Sequence, residues 1–216
     1  MKKIALLILM VAIAGAGYYL LRKGRRPAGE DLNGRYENSA TGISFAHPKI
    51  LTASTTDGIA TLHHDIPYKN SGPCDMMGDE IKYDRLTDFE MKIRIIDKGL
   101  TETVRALSSY IPQENFVNDE LVASPGFIDP CTIGDFSGFA IYEGAEGCGQ
   151  TTYYFPVAGD TTLVIANASI QALSGAISQE KVNEVLAVPG VISREKNMEI
   201  FEAIVRSLKI TRTKPA

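Results

Sequence analysis

The sequence predicts an α+β fold built on an antiparallel sheet at the centre of a layered domain. Three short apolar runs follow one another between Asp135 and Ile170, each too short for a helix of normal length. They are rich in β-branched and aromatic residues, which suit a pleated surface. None alternates cleanly between apolar and polar residues, so we expect both faces of these strands to be covered. The runs are Phe139–Tyr142, Tyr153–Val157 and Leu163–Ala166.

Tight connections between the runs predict a meander of neighbouring strands. Glu143–Gly149 holds three glycines, which adopt positive φ at little cost, and Ala158–Thr161 is a compact hairpin turn. The glycines have the order GxxGxG, whereas the dinucleotide fingerprint is GxGxxG and opens a helix. The first turn leads into another strand, so we do not interpret it as a phosphate site.

The apolar segment Ile4–Leu21 predicts a single membrane-spanning helix at the N-terminus. Its length corresponds to about 27 Å of helix, just enough to cross a hydrocarbon core. Tyr18 and Tyr19 lie where interfacial aromatic residues occur, and the bases of residues 22–26 follow. We therefore divide the chain into a membrane segment (1–26), a linker (27–34) and a folded domain (35–212).

A cleaved signal peptide is the alternative interpretation, and it would make the protein a secreted one. Ala12–Ala14 or Ala14–Ala16 would then be the small-residue cleavage site. Cleavage there leaves the apolar residues GYYLL at the mature end, which favours the uncleaved anchor. Basic residues flank both ends of the segment, and the cluster that follows it favours a cytoplasmic domain. Membrane orientation therefore needs other evidence.

The residues before the meander predict further strands and one long loop. A turn at Gly42 separates two short strands, and Lys49–Thr52 and Gly58–His64 suggest two more. Pro67–Leu86 is a long polar loop, and such loops in compact domains are often binding elements or are tethered. Phe89–Asp97 alternates strictly, which predicts a strand with one wet face.

The sequence predicts three helices, two of them with an expected N-cap. Thr101 is the expected N-cap of the first, which would end at Pro112. Ser178 is the expected N-cap of the second. The third begins near Ser193 and carries apolar residues at helical spacing as far as Leu208. These helices are available to cover the two faces of the sheet.

Two motifs lie at the ends of the predicted domain. The opening contains Tyr36, Asn38, Gly42–Phe45 and Pro48, and the last helix ends in FEAIVRSLKI (201–210). Together they resemble small bacterial extracytoplasmic proteins of the PsbP-like class, named for an extrinsic subunit of photosystem II. The resemblance implies an α/β/α sandwich with a central, mostly antiparallel sheet. It also implies a binding or assembly module without a shared catalytic apparatus, and its motifs carry no functional residues across.

Three cysteines agree with export of the domain. Cys74, Cys131 and Cys148 all lie in predicted loops. In an oxidising compartment two of them are expected to pair, which leaves one over. We favour Cys74–Cys148, because the long loop most needs a tether and Cys148 lies in a rigid turn. The expected location is then the cell membrane, with a single span and an extracytoplasmic domain.

Candidate catalytic or metal-binding residues are few. His63, His64 and Asp65 end a predicted strand, and His47 lies elsewhere. Adjacent strand residues point to opposite faces, so His63 and His64 are not expected to share one ion. No spacing matches a zinc, P-loop or serine-hydrolase motif, and none indicates a cofactor. An envelope hydrolase or metal-dependent enzyme that uses these residues is the alternative to a binding module.

Charge argues against nucleic acid as a partner. Residues 1–29 hold six of the 22 bases and no acid, so the rest of the chain carries 16 bases and 26 acids, a net charge of −10. Such a domain repels a phosphate backbone. We expect an envelope protein or a small ligand as partner. The expected interaction surface combines the long loop and the glycine-rich turn and comprises Asp75, Asp79, Glu143, Glu146 and Gln150.

Overall fold

The structure is a computed structural model that describes residues 31–72, 74 and 83–211. The predicted membrane segment Ile4–Leu21 and the loop carboxylates Asp75 and Asp79 lie outside these residues. Among the described residues, no helix is long and apolar enough to cross a membrane. From Leu32 onward the described residues belong to one compact unit. It is a mixed α+β fold with a large antiparallel sheet and few helices, which confirms the predicted fold class at that level.

The described residues include twelve strands and three α-helices. The strands are β1 (Gly34–Asn38), β2 (Ile43–His47), β3 (Thr52–Thr56), β4 (Ile59–Ile66), β5 (Leu86–Ile96), β6 (Phe116–Val117), β7 (Glu120–Leu121), β8 (Ile128–Ile133), β9 (Phe136–Glu143), β10 (Gln150–Pro156), β11 (Thr162–Ala168) and β12 (Lys209–Ile210). The helices are α1 (Leu100–Leu107), α2 (Gln179–Leu186) and α3 (Arg194–Ser207).

Seven of these strands form the large sheet, in the order β3-β4-β5-β11-β10-β9-β8. Every pair of neighbours is antiparallel. The strands β1, β2 and β12 form a small second sheet, and β6 and β7 form a hairpin. The meander β9-β10-β11 lies within the large sheet, as predicted, and its two connections are residues 144–149 and 157–161.

Both faces of the meander are buried, which agrees with its continuous apolar runs. On the face that we call the α3 face, Tyr153 and Phe155 pack in one cluster with Phe201 of α3. On the opposite face, the α1 face, Tyr154 packs with Val104 of α1. The Tyr154 hydroxyl also forms a 2.8 Å hydrogen bond with the hydroxyl of Ser108. Alternate residues of β10 therefore belong to two separate cores.

Strand β5 shows the alternation that the sequence predicts. Phe89, Met91 and Ile93 are fully buried in the core of the α3 face. Glu90 and Lys92 point the other way and form a 2.8 Å ion pair that is partly exposed. The α1 face therefore remains wet along this strand.

One strand prediction was wrong. Lys49–Thr52 was expected to be extended, but Pro48–Leu51 forms a turn in which Leu51 N–H donates to the Pro48 carbonyl at 3.1 Å. The strand begins at Thr52 and is β3. Proline directly before the predicted strand makes the turn locally favourable.

One of the two predicted helix caps, Ser178, is confirmed. Ser178 and Ser193 accept hydrogen bonds from the third backbone N–H after them, at the starts of α2 and α3. The Thr101 prediction was wrong, since α1 begins at Leu100 and its N-cap Gly99 has no side chain. The Lys98 carbonyl at this connection accepts instead from the hydroxyls of Thr103 and Thr162.

Candidate functional site at a disulfide-linked corner of the sheet

A disulfide joins Cys74 to Cys148 and links the long loop to the glycine-rich turn between β9 and β10. This is the pairing that the sequence favours, and Cys131 remains a free thiol. Such a bond is typical of proteins in an oxidising, extracytoplasmic compartment. We call the disulfide together with residues 143–150 the corner.

Close backbone contacts explain the glycines of the corner. Gly144 and Gly149 have φ values of 151° and 98°. A Cβ atom on Gly149 would lie 1.9 Å from the Glu143 carbonyl oxygen, and one on Gly144 would lie 2.1 Å from that of Cys148. The two arms of the turn therefore contact each other through backbone atoms, and no side chain fits at either glycine.

A cavity of about 510 Å³ lies beside the corner, on the α3 face of the sheet. Part of its lining is a row of three cross-strand neighbours, because Thr151 pairs with Tyr142 on one side and with Asn167 on the other. The volume is typical of a small-molecule site. We call it the corner cavity, and the side chains that matter below are Tyr142, Thr151, Asn167, Arg194, Asn197 and Met198.

Asn167 is the unusual residue of this lining. It is 6% exposed, and its Nδ2 donates to Asn197 Oδ1 at 3.0 Å. Its own Oδ1 is buried and accepts no hydrogen bond from the described residues. A buried polar atom without a partner costs about 1–3 kcal/mol, so most proteins avoid one.

Helix α3 brings its first turn to the cavity. Arg194 is the first residue of the helix and lines the cavity together with Asn197 and Met198. The first N–H groups of a helix and its dipole create a partial positive charge at this end. Glu195 of the same turn is engaged elsewhere, since its carboxylate accepts from the Ser193 hydroxyl at 3.1 Å. A hydrogen bond from its own backbone N–H, helped by Ser193, lowers the pKa of Glu195 and keeps it ionised.

A bulge in β5 turns Asp88 toward the same region. The pairing of β4 with β5 matches His64 to Phe89 and Asp65 to Thr87, which leaves Asp88 without a partner in the ladder. Its side chain is fully buried and accepts from Ile192 N–H at 2.6 Å. The other carboxylate oxygen lies 2.7 Å from His64 Nδ1.

The predicted histidine cluster does not converge on one point. His64 pairs with Asp88, whereas His63 lies 4.0 Å from Asp65 on the other side of the strand. His47 is buried, and its ring nitrogen lies 2.9 Å from the Pro48 carbonyl. In the part of the chain that the structure describes, no three histidine, cysteine or carboxylate side chains are grouped so that they could hold a metal ion.

The predicted interaction residues Glu143, Glu146 and Gln150 belong to the corner, where Glu146 is exposed and the other two are half-buried. Gln150 Nε2 lies 3.4 Å from the Glu143 carboxylate, and the Glu146 carbonyl accepts from Gln171 Nε2 at 3.1 Å. Glu143 and Gln150 line a second, wider cleft of about 720 Å³ that also contains the disulfide. Side chains from the turn therefore face a cleft. The loop residues Asp75 and Asp79 lie outside the residues that the structure describes.

The free thiol has a protonation state that disfavours nucleophilic chemistry. Burial raises the pKa of Cys131 to about 11, so the thiol is protonated at neutral pH. Burial likewise raises the pKa of the neighbouring Tyr153 to about 12. Both groups are neutral parts of the core near β8 and β10.

Sequence reasoning missed the lining of the corner cavity. The only local signal was an asparagine at the end of the apolar run of β11, LVIANASI. Its partner Asn197 comes from a helix 30 residues later, and Asp88 contacts a backbone group 104 residues away. No periodicity in the sequence brings these positions together.

Comparisons with known proteins identify no family. No family model matches the chain, and no curated protein matches it. A crystal structure of a protein from Bacteroides thetaiotaomicron VPI-5482 is similar with a TM-score of 0.41 and 10% sequence identity. The match covers 82% of this chain and 48% of that one, so the chain spans about half the length of that protein.

Proposed function

We propose that the protein is a membrane-tethered, extracytoplasmic binding module without catalytic activity, built as a PsbP-like α/β/α sandwich. The helices α1 and α3, which pack on opposite faces of the meander, support the sandwich. The Cys74–Cys148 bond supports the extracytoplasmic side. The apolar segment Ile4–Leu21 supports the tether.

The corner cavity is the proposed binding site, and the unpartnered Oδ1 of Asn167 is the observation that carries the proposal. A buried polar group without a protein partner calls for an explanation, and a bound component that completes its hydrogen bond is one such explanation. The rest of the lining combines apolar residues with a few hydroxyl and amide groups, a mixture that suits recognition of a small molecule. The nearby disulfide holds one rim of the cavity in place.

A bound small molecule is the expected result when the full-length chain is purified in mild detergent. Native mass spectrometry should detect it, and its addition to stripped protein should raise the melting temperature. Thr151→Val removes one hydroxyl from the cavity with little change of shape and should weaken this stabilisation. Thr61→Val on β4, outside the lining, is the matched control. Equal stabilisation of both variants, or the lack of any bound or stabilising molecule, would contradict the proposal.

Thiol labelling tests the location of the domain. A membrane-impermeant maleimide applied to intact cells should label Cys74 and Cys148 only after reduction. Cys131 should react slowly in the folded protein, because it is half-buried and its pKa is raised. If all three thiols are free and react only after lysis, the domain is cytoplasmic.

A further inference from the structure

The corner cavity has unused hydrogen-bonding capacity of both kinds. Asn167 Oδ1 needs a donor. The Thr151 hydroxyl and Asn197 Nδ2 form no hydrogen bond with other described residues and have protons to donate. A ligand that completes this lining must therefore both donate and accept hydrogen bonds.

Positive charge lies at the α3 end of the cavity. No salt bridge within 4.0 Å is formed by the Arg194 guanidinium among the described residues, although its charge helps to lower the pKa of the adjacent Glu195. Arg194 is also the first residue of a helix of 14 residues and lines the cavity. An arginine beside helix N–H groups favours a carboxylate, which the guanidinium can bind through two parallel hydrogen bonds. The nearest buried acid, Asp88, lies on β5, and both of its oxygens are already engaged.

From this arrangement we propose that the corner cavity binds a small organic carboxylate that also carries an N–H or O–H donor, as amino acids, hydroxy acids and short peptides do. The donor bonds to Asn167 Oδ1, and the carboxylate lies at Arg194 and the first turn of α3. This inference rests on the proposed function and adds the chemical class of the ligand.

Met198 covers the amide of Asn167 in the present structure. Its sulfur lies 3.7 Å from Asn167 Nδ2, and its side chain is 39% exposed. Methionine is unbranched and changes rotamer at low cost. In the proposed complex this side chain rotates away from the Asn167 amide, so Met198→Ala should bind at least as tightly as the wild type and associate faster.

Isothermal titration calorimetry of the full-length chain with five compounds tests the ligand class. L-Serine and the dipeptide Ala-Ala carry both groups, propionate carries only the carboxylate, and ethanolamine carries only the donor. We expect serine or Ala-Ala to bind about tenfold or more tighter than either of the others, because each lost charge-assisted contact weakens binding by about that factor. Ribose serves as a neutral polyol.

Two substitutions test the assigned contacts. Arg194→Gln should weaken binding of the best compound about tenfold, whereas Arg35→Gln, which removes the same charge on β1, should leave it unchanged. Asn167→Leu should abolish binding. If Asn167→Leu does not fold, Arg194→Gln and Met198→Ala still test the site, because neither side chain is buried.

The outcomes separate the two proposals. Selective binding of serine or Ala-Ala that depends on Arg194 supports the ligand class. Binding of ribose, propionate or ethanolamine that depends on Thr151 would overturn the ligand class but leave the binding function intact. If no compound binds and the purified chain carries no small molecule, both proposals are wrong.

Discussion

Removal of the corner disulfide should destabilise the protein by an amount that depends on the length of the loop that the bond closes. The bond closes a loop across a sequence separation of 74 residues. In the chain-entropy treatment, a loop of this length stabilises the folded state by about 4.4 kcal/mol, and measured values for disulfides are usually about 2–4 kcal/mol. We therefore expect the double variant Cys74→Ser/Cys148→Ser to lose about 2–4 kcal/mol of unfolding free energy.

Urea unfolding followed by circular dichroism measures this loss, and thermal unfolding gives an independent value. For a domain of this size each kcal/mol corresponds to about 2–4 °C, so the melting temperature should fall by roughly 4–16 °C. Reduction of the wild-type protein should give the same shift. Cys131→Ser is the control, because it removes a thiol without opening the loop. A double variant that unfolds within about 0.5 kcal/mol of the wild type would refute the reasoning.

Three further changes have expected outcomes that unfolding or alkylation rates can check. Gly149→Ala should lower the free energy of unfolding by about 3 kcal/mol or more, because the added Cβ would collide with a backbone carbonyl. The control Gly159→Ala also has positive φ but has open space around it, so it should lower that free energy by about 1–2 kcal/mol. Equal losses in the two variants would contradict this prediction. Ser193→Ala should cost about 1 kcal/mol by loss of the α3 cap, and no loss would contradict the capping bond. Iodoacetamide should alkylate Cys131 slowly below pH 9 and faster as the pH approaches about 11. Because burial raises this pKa from 9.0, the contribution of the neutral thiol to stability is complete below pH 9 and is lost as the pH rises toward about 11. Fast alkylation at pH 7 would contradict the raised pKa.

Local patterns predicted much of the fold. The meander, the alternation of β5 and the Ser178 cap of α2 all depend on residues within a few positions of one another. Their periodicity and capping chemistry therefore specify the element without knowledge of its neighbours. The Cys74–Cys148 pairing followed from the need to tether a long loop, an argument that concerns chain length rather than packing.

The structural features that local patterns failed to predict depend on long-range contacts. Thr101 has the right chemistry for a cap, but the observed cap is Gly99, two residues earlier. At this connection the Lys98 carbonyl accepts a hydrogen bond from Thr162 of a distant strand. Strand geometry predicted that His63 and His64 point to opposite faces, but no local pattern predicted the bulge that turns Asp88 toward His64. Bulges and tight connections depend on how strands pair, which the sequence of one strand does not reveal.

Departures from local rules gather at the corner. Asp88 interrupts the ladder of β5, Asn167 ends an apolar strand with an unpartnered oxygen, and the turn needs glycines at which no side chain fits. These features lie far apart in the sequence. Each alone has a structural explanation or costs little folding free energy. Asp88 and Asn167 both line the cavity of about 510 Å³, and Gly144 and Gly149 belong to the turn beside it. Sequences that specify a fold tend to break their own rules where function requires it, so the proximity of these features supports the proposed binding site.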